Sequence, residues 1–261
     1  YYTLSWVPDN IPKVSYATSF GVSELDGHYK SRAKTFLNRF SAVSVRESSG
    51  QHLVEELTEK IPCLVCDPVF LLTKDQWNTL SDTSRCPNKK YIFTYFLGGG
   101  RECSKFAEEL SAVTGLPVSG IVHNDSYVAS DEDIDYPIDA CTPNEFLGLI
   151  SNAEYICTDS FHAAAFSTIF NKNFFVFNRF KSQKHGTNSR IESLLRMAGL
   201  ENRLINNPCR VYDMAAEDID YETVNDKVLS FINKSCDFIE KEILQGVGCN
   251  SHEKDFASQL D

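Results

Sequence analysis

The chain has 261 residues, 42% of them hydrophobic, and a formal net charge of −11 at pH 7. That length and apolar content suit one large domain or two medium ones with a sizeable core. The acidic balance argues against nucleic acid, or an anionic membrane surface, as the main partner, although a local basic pocket could still take an anion.

The first residues, Tyr1 to Asn10, lack the basic start and apolar run of a signal peptide. No stretch approaches the length of a membrane span. Val14 to Ser19 reads as a strand, with Phe20-Gly21 as the loop after it. Tyr29 to Phe40 has Phe36, Leu37 and Phe40 spaced for one helix face. Ala42 to Val45 is a short strand running into Arg46-Glu47. Ser49 to Lys60 is a helix carrying Leu53, Val54 and Leu57, and Cys63 to Val65 is a third strand before Asp67-Pro68. This β-α-β-α-β rhythm is that of a parallel sheet.

The composition then shifts. Lys74 to Lys90 is polar, without a clear period, and reads as a linker holding one short helix. Tyr91 to Leu97 is a strand of aromatic and β-branched residues, followed by Gly98-Gly99-Gly100-Arg101 and a helix over Glu102–Thr114. Pro117 to Val122 is a strand, and His123 to Ala140 an acidic irregular stretch. Thr142-Pro143-Asn144-Glu145 is a capping box with Pro at the first helical position, opening a helix to about Asn152. Glu154 to Thr158 is a buried strand. Asp159, Ser160 and Phe161 make a tight turn, and a small-residue helix begins near His162. Phe174 to Phe177 is a strand, Phe180 to Asn188 a basic loop, Ser189 to Met197 a helix closed by Gly199, and Arg203 to Asn206 a last short strand. Tyr221 to Leu244 alternates at helical spacing as a long amphipathic helix. The implied domain division is a first unit over 1–76, a linker over 77–90, a second unit over 91–220, and a helix and tail over 221–261.

The loop at Asp159–His162 comes after the carboxyl end of a strand, where α/β proteins open their ligand crevice. Its helix start offers unpaired N–H groups and partial positive charge to an anion. His162 at that mouth is placed to trade protons with one. Nine scattered cysteines, several inside apolar runs, fit reduced thiols used as small hydrophobes in a cytoplasmic protein. Cys63 and Cys66 have CxxC spacing, but no second pair supports zinc.

Ala17-Thr18-Ser19-Phe20-Gly21, Ser44-Val45-Arg46-Glu47, Asp67-Pro68 with Leu71-Leu72 and Trp77, Thr158-Asp159-Ser160-Phe161-His162, and Asn188-Ser189-Arg190-Ile191 occur in this order. Together they resemble the polysaccharide pyruvyl transferase family over about residues 14 to 245. The resemblance implies two Rossmann-like domains facing each other across a cleft, as in GT-B glycosyltransferases. It implies transfer of a pyruvyl group from phosphoenolpyruvate to two sugar hydroxyls as a ketal, with no cofactor or metal. The acceptor would be a galactose, mannose or hexosamine unit of a glycan precursor. A lipid-linked acceptor would bring peripheral membrane association with it. Members usually open with a Gly- and Asn-containing strand–loop–helix that this chain does not show, so the first domain is expected to be incomplete here.

Phosphoenolpyruvate carries a carboxylate and a phosphate, which call for Arg forks, and a methylene that needs a general acid. His162 is the first candidate for that acid or for a phosphate ligand; a cap bonded to Asp159 is the structural alternative. Asp159 would orient the imidazole or bind substrate, unless it serves only as a turn carboxylate. Ser160 and Phe161 complete the donor loop. Arg46, past a strand end, is a donor ligand or else an ion pair with Glu47; Glu47 anchors it or acts as a base for the acceptor. Arg179 and Arg190 flank a basic loop with Lys181, Lys184 and His185, and are expected to hold the donor or support the site. Ser19 and Gly21 would line the acceptor side, and Asp67-Pro68 would fix a turn between domains. A GT-B glycosyltransferase using a nucleotide sugar, and a non-catalytic sugar-binding relative, remain as alternatives.

Overall fold

The computed structural model describes residues 3–98, 101–122, 134–179, 188–206 and 211–245. The first unit is a parallel three-stranded sheet in the order β1 (Val14–Thr18), β2 (Ala42–Val45), β3 (Cys63–Leu64), joined by α1 (Gly27–Leu37) and α2 (Ser48–Leu57). Its core is small: Phe40, Val43, Val45 and Val54, with Leu4, Phe20, Leu37 and Leu64 packed around them. β1 is irregular. Its register slips between Ser15 and Thr18, and Ala17 takes a positive φ of 51°. The Ser44 hydroxyl fills the gap, accepting from the Ala17 N–H at 3.0 Å, while the Ser44 carbonyl accepts from Thr18 Oγ1 at 2.9 Å. Such a bulge bends a strand and re-aims the segment beyond it, here the loop of Ser19 and Gly21.

The crossover holds a short 3-10 turn at Pro68–Leu71 and helix α3 (Lys74–Leu80), the one short helix expected in the polar run. Trp77 of α3 stacks edge-on against Phe166 at 5.0 Å. The second sheet is parallel throughout, in the order β6 (Tyr136–Ile138), β5 (Val118–Ile121), β4 (Ile92–Tyr95), β7 (Tyr155–Thr158), β8 (Asn173–Phe177), β9 (Leu204–Ile205). Strands that are apolar on both faces require helices on both faces. Ile92, Cys157, Phe175 and Phe177 pack under α4 (Arg101–Thr114) and α8 (Val211–Ala215). Phe93, Ile156, Phe174 and Val176 pack on the other side, against α5 (Pro143–Asn152), α6 (Phe161–Ile169), α7 (Asn188–Ala198) and α9 (Tyr221–Ile239). The capping box forms: the Thr142 hydroxyl accepts from the Glu145 N–H, and the Glu145 carboxylate accepts from the Thr142 N–H.

Two elements have no counterpart in the sequence pattern. β6 lies inside the stretch expected to be irregular, and α8 lies where no helix is expected. The last described helix is α9, followed by π-helical turns at Glu240–Gln245, rather than one uniform helix. Gly99, Gly100, Lys181, Lys184 and His185 lie outside the described residues. So do Cys209 and Cys249; the seven described cysteines are free thiols, with burial raising the pKa of Cys66 and pushing Cys103 up to about 12. No helix among the described residues is long and apolar enough to cross a membrane.

The two units meet along α2 and α7. The Ser48 N–H donates to Ser193 Oγ at 3.1 Å, and Ser49 Oγ donates to Ser189 Oγ at 3.0 Å. The Cys66 N–H, just past β3, donates to Ser235 Oγ of α9 at 2.9 Å. Tyr16 of β1 lies 6.4 Å from Phe238 of the same helix.

Candidate active site

The strand order of the second sheet reverses between β4 and β7, and a crevice opens outside the carboxyl ends of strands at such a point. Asp159 closes the gap between the two loops there. It is 2% exposed, and its Oδ1 and Oδ2 accept from the Leu97 and Gly98 N–H groups at 2.7 and 2.8 Å. Arg179, past β8, donates from Nη2 to the Asp159 carbonyl at 3.1 Å and places Nε 3.5 Å from its carboxylate. Burial pushes the Asp159 carboxyl up, and the two backbone donors with Arg179 pull it back. Both oxygens are therefore committed to the Leu97–Gly98 loop and Arg179, and its described partners do not include His162.

The approach is tight. A Cβ on Gly98 would come within 2.7 Å of Arg179 Cγ and 2.9 Å of Asp159 Oδ2. Gly98→Ala is expected to displace Arg179 and weaken binding of a site anion about tenfold or more, as isothermal titration would show. An unchanged affinity would mean that Arg179 takes no part in holding that anion.

Helix α6 begins at this crevice. Ser160 is its N-cap, with Oγ accepting from the Ala163 N–H at 3.5 Å, and Ser160 N–H donates to Thr158 Oγ1 at 3.0 Å. Phe161 and every residue from Ala163 to Thr168 are buried, while His162 alone in that run is exposed. The imidazole, left open on an otherwise buried helix, lies within the field of Arg46, Asp67 and Arg190. Its pKa is lowered, first by partial desolvation, then by Arg46 and Arg190, with Asp67 acting the other way.

The first unit brings Arg46 and Glu47 from the turn between β2 and α2. Arg46 Nη1 pairs with Asp67 Oδ2 at 2.8 Å, so its carboxylate partner is Asp67 and not its neighbour Glu47. The guanidinium also lies 5.3 Å over the ring of Phe161, which joins the two units at the mouth of α6. Glu47 is fully buried. Its Oε1 accepts from the Phe20 N–H at 2.9 Å, while Oε2 has no hydrogen-bond partner among the described residues. That bond fixes the loop of Ser19 and Gly21, where Ser19 Oγ is also buried with no hydrogen-bond partner among the described residues, and Gly21 adopts a φ of 69°. Arg190, on the first turn of α7, is desolvated and lies within the field of Arg46, Glu47, Arg179 and Asp67.

The groups lie within one another's field: His162 with Arg46, Arg190 and Asp67, and Arg190 with Glu47 and Arg179, while Phe161 meets Arg46 and Asp159 meets Arg179. Among the described residues, the buried Nε atoms of Arg46 and Arg190 have no hydrogen-bond partner, and that of Arg179 has only the 3.5 Å ion pair with Asp159. Buried donors of this kind are costly unless something accepts from them, and an anion with several oxygens would. Asp67, expected only to form a turn, does cap the 3-10 turn, accepting from the Val69 N–H at 3.1 Å, but its bond to Arg46 makes it part of the site. The Asp-Pro pair signals the turn; nothing in the sequence signals the arginine.

Comparison with known proteins agrees with this architecture. UDP-GlcNAc 2-epimerase from Neisseria meningitidis, bound to UDP-GlcNAc, superposes with a TM-score of 0.50 at 12% identity, over 90% of this chain and 70% of its own. A putative UDP-N-acetylglucosamine 2-epimerase from Listeria monocytogenes gives a TM-score of 0.48 at 11% identity, over 80% and 62%. The glycotransferase of kitacinnamycin gives 0.48 at 11%, over 83% and 62%. The chain therefore spans less than two thirds of the length of these last two. No curated protein matches it in sequence. The Neisseria likeness shows the fold, two Rossmann-like units in a GT-B-like arrangement. The family profile for polysaccharide pyruvyl transferase matches residues 1–181, which takes in the first four ordered motifs and leaves Asn188–Ile191 beyond it. The chain belongs to the polysaccharide pyruvyl transferase family.

Proposed function

We propose that the protein transfers a pyruvyl group from phosphoenolpyruvate to two hydroxyls of a sugar in a polysaccharide or glycan precursor. One observation carries this reading. Arg46 and Arg190, from separate elements, both act on the exposed histidine at the mouth of α6, with Arg179 in the field of Arg190, and among the described residues the Nε atoms of Arg46 and Arg190 have no hydrogen-bond partner. A carboxylate and a phosphate on one three-carbon donor suit that arrangement. Arg46, Arg179 and Arg190, with the first turn of α6 at Ser160 and Phe161, would hold the donor.

In this scheme His162, protonated in the complex, delivers a proton to the methylene carbon. The adjoining carbon then accepts the first sugar hydroxyl, whose proton passes to Glu47 Oε2. The bond from that carbon to the phosphate oxygen breaks, and phosphate leaves with the electron pair. The second hydroxyl attacks the resulting cation and closes the ketal. Glu47 then gives up the first hydroxyl's proton, which restores His162, and the second hydroxyl's proton leaves with phosphate. Ser19 and Gly21 line the acceptor side, and Asp159 acts by holding Arg179 and the loop after β4. A cytoplasmic setting, where phosphoenolpyruvate is made, belongs to the same reading.

Isothermal titration with phosphoenolpyruvate, beside a panel of nucleotide sugars, tests it. Saturable binding of phosphoenolpyruvate that weakens in Arg46→Ala is the expected result. Binding of a nucleotide sugar with none of phosphoenolpyruvate would assign the cleft to glycosyl transfer instead.

A further inference from the structure

Asp67 is 4% exposed and stands in the crossover between the two units. One of its oxygens caps the Pro68–Leu71 turn through the Val69 N–H, and the other takes Arg46 Nη1 at 2.8 Å. The turn is rooted in the second unit, because Phe70 sits in the core beneath α6. Arg46 is rooted in the first, next to the buried strand β2. Asp67 therefore ties a cation from one unit to a fixed point on the other, and Arg46 Nε has no hydrogen-bond partner among the described residues.

Among the described residues, few charged groups act on His162. Arg46 comes from the turn after β2, Arg190 from the start of α7, and Asp67 from the crossover. Phe161, its neighbour on α6, contributes a ring edge at 5.2 Å and no charge. Glu47 bears on Arg190, and Asp159 is taken up by Leu97, Gly98 and Arg179. Asp67 is thus the carboxylate among these groups that favours the imidazolium form.

We propose that Asp67 is a positioning residue of the donor site: it holds the Arg46 guanidinium against the mouth of α6 and supplies the negative charge beside His162. The proposal rests on the donor reading above. It differs from a turn-forming role in one respect, since a turn needs only an acceptor for the Val69 N–H, which Asn also provides. Charge and the grip on Arg46 are what Asp67→Asn removes.

The test uses the full chain and two readouts. In the free protein, His162 is titrated by NMR of its imidazole. With the donor, KM for phosphoenolpyruvate is measured against kcat. In Asp67→Asn, His162 is expected to titrate at lower pH than in the wild type, and KM to rise about tenfold with a smaller change in kcat. Asp67→Glu keeps the charge but displaces Arg46, so the titration should stay near that of the wild type while KM rises; this variant carries the test if Asp67→Asn does not fold. An unchanged titration and an unchanged KM would overturn the proposal. If the wild type binds no phosphoenolpyruvate, the donor reading fails, and the titration of the free protein still decides whether Asp67 governs His162.

Discussion

Replacing His162 with Ala is expected to cut pyruvyl transfer by about 10²–10⁴-fold and leave the fold intact. The side chain is the exposed one on the first two turns of α6, so its removal opens no cavity. The pH behaviour makes the expectation sharper. Desolvation, Arg46 and Arg190 hold the imidazole below its ordinary value of 6.5, so free His162 is mostly neutral at pH 7. A bound dianion beside it reverses that balance and draws a proton on. Binding of phosphoenolpyruvate should therefore take up a proton, visible as a heat that varies with the ionisation enthalpy of the buffer. His162→Ala should bind without that uptake. A general acid works only when protonated, so transfer should fall as pH rises through the pKa of His162 in the complex. If proton uptake persists in His162→Ala, the proton resides elsewhere, and the acid must be sought among other groups.

Asp159→Ala should be the most destabilising single change in the site. It strands the Leu97 and Gly98 N–H groups and removes the counter-charge from half-buried Arg179. Breaking a buried pair in this way costs about 3–5 kcal/mol, which corresponds to a fall in Tm of about 10 °C for a chain of this size. Thermal unfolding measured by circular dichroism would show it. A fall of only about 1–2 °C would mean that the loops after β4 and β7 are held by their strands alone. Donor affinity should fall with stability, because the same carboxylate positions Arg179.

How much of the molecule is legible in the sequence depends on how local each determinant is. The strand at Tyr155–Thr158 and the helix after it announce themselves through an apolar run, a Ser cap and a block of small residues. The helix at Pro143 is written in four consecutive residues. β6 is hidden because it is an edge strand: Tyr136 and Pro137 are exposed, and only Ile138 is buried. Proline is tolerated at such an edge, and the strand shows little of the apolar pattern that marks a central one. Arg46, Arg179 and Arg190 are legible as cations near strand ends or helix starts. Their partners are not. Asp67 is 21 residues from Arg46 and Asp159 is 20 from Arg179, so each pairing depends on where the sheet delivers two separate loops. The bulge at Ala17 is equally silent, since it arises from how β1 sits against Ser44 of the neighbouring strand.

The bond from Cys66 to Ser235 joins points 169 residues apart. The three-stranded sheet is synthesised before the six-stranded one, yet the helix that braces its rim is among the last described elements to be made. Until then Tyr16 and the end of β3 lack their cover, and the small Phe40–Val54 core is the sheet's own reserve of apolar packing. Contacts of such long range close late, because the intervening chain must first surrender its freedom. The last described helix thus braces the smaller sheet through contacts that close a very long stretch of chain.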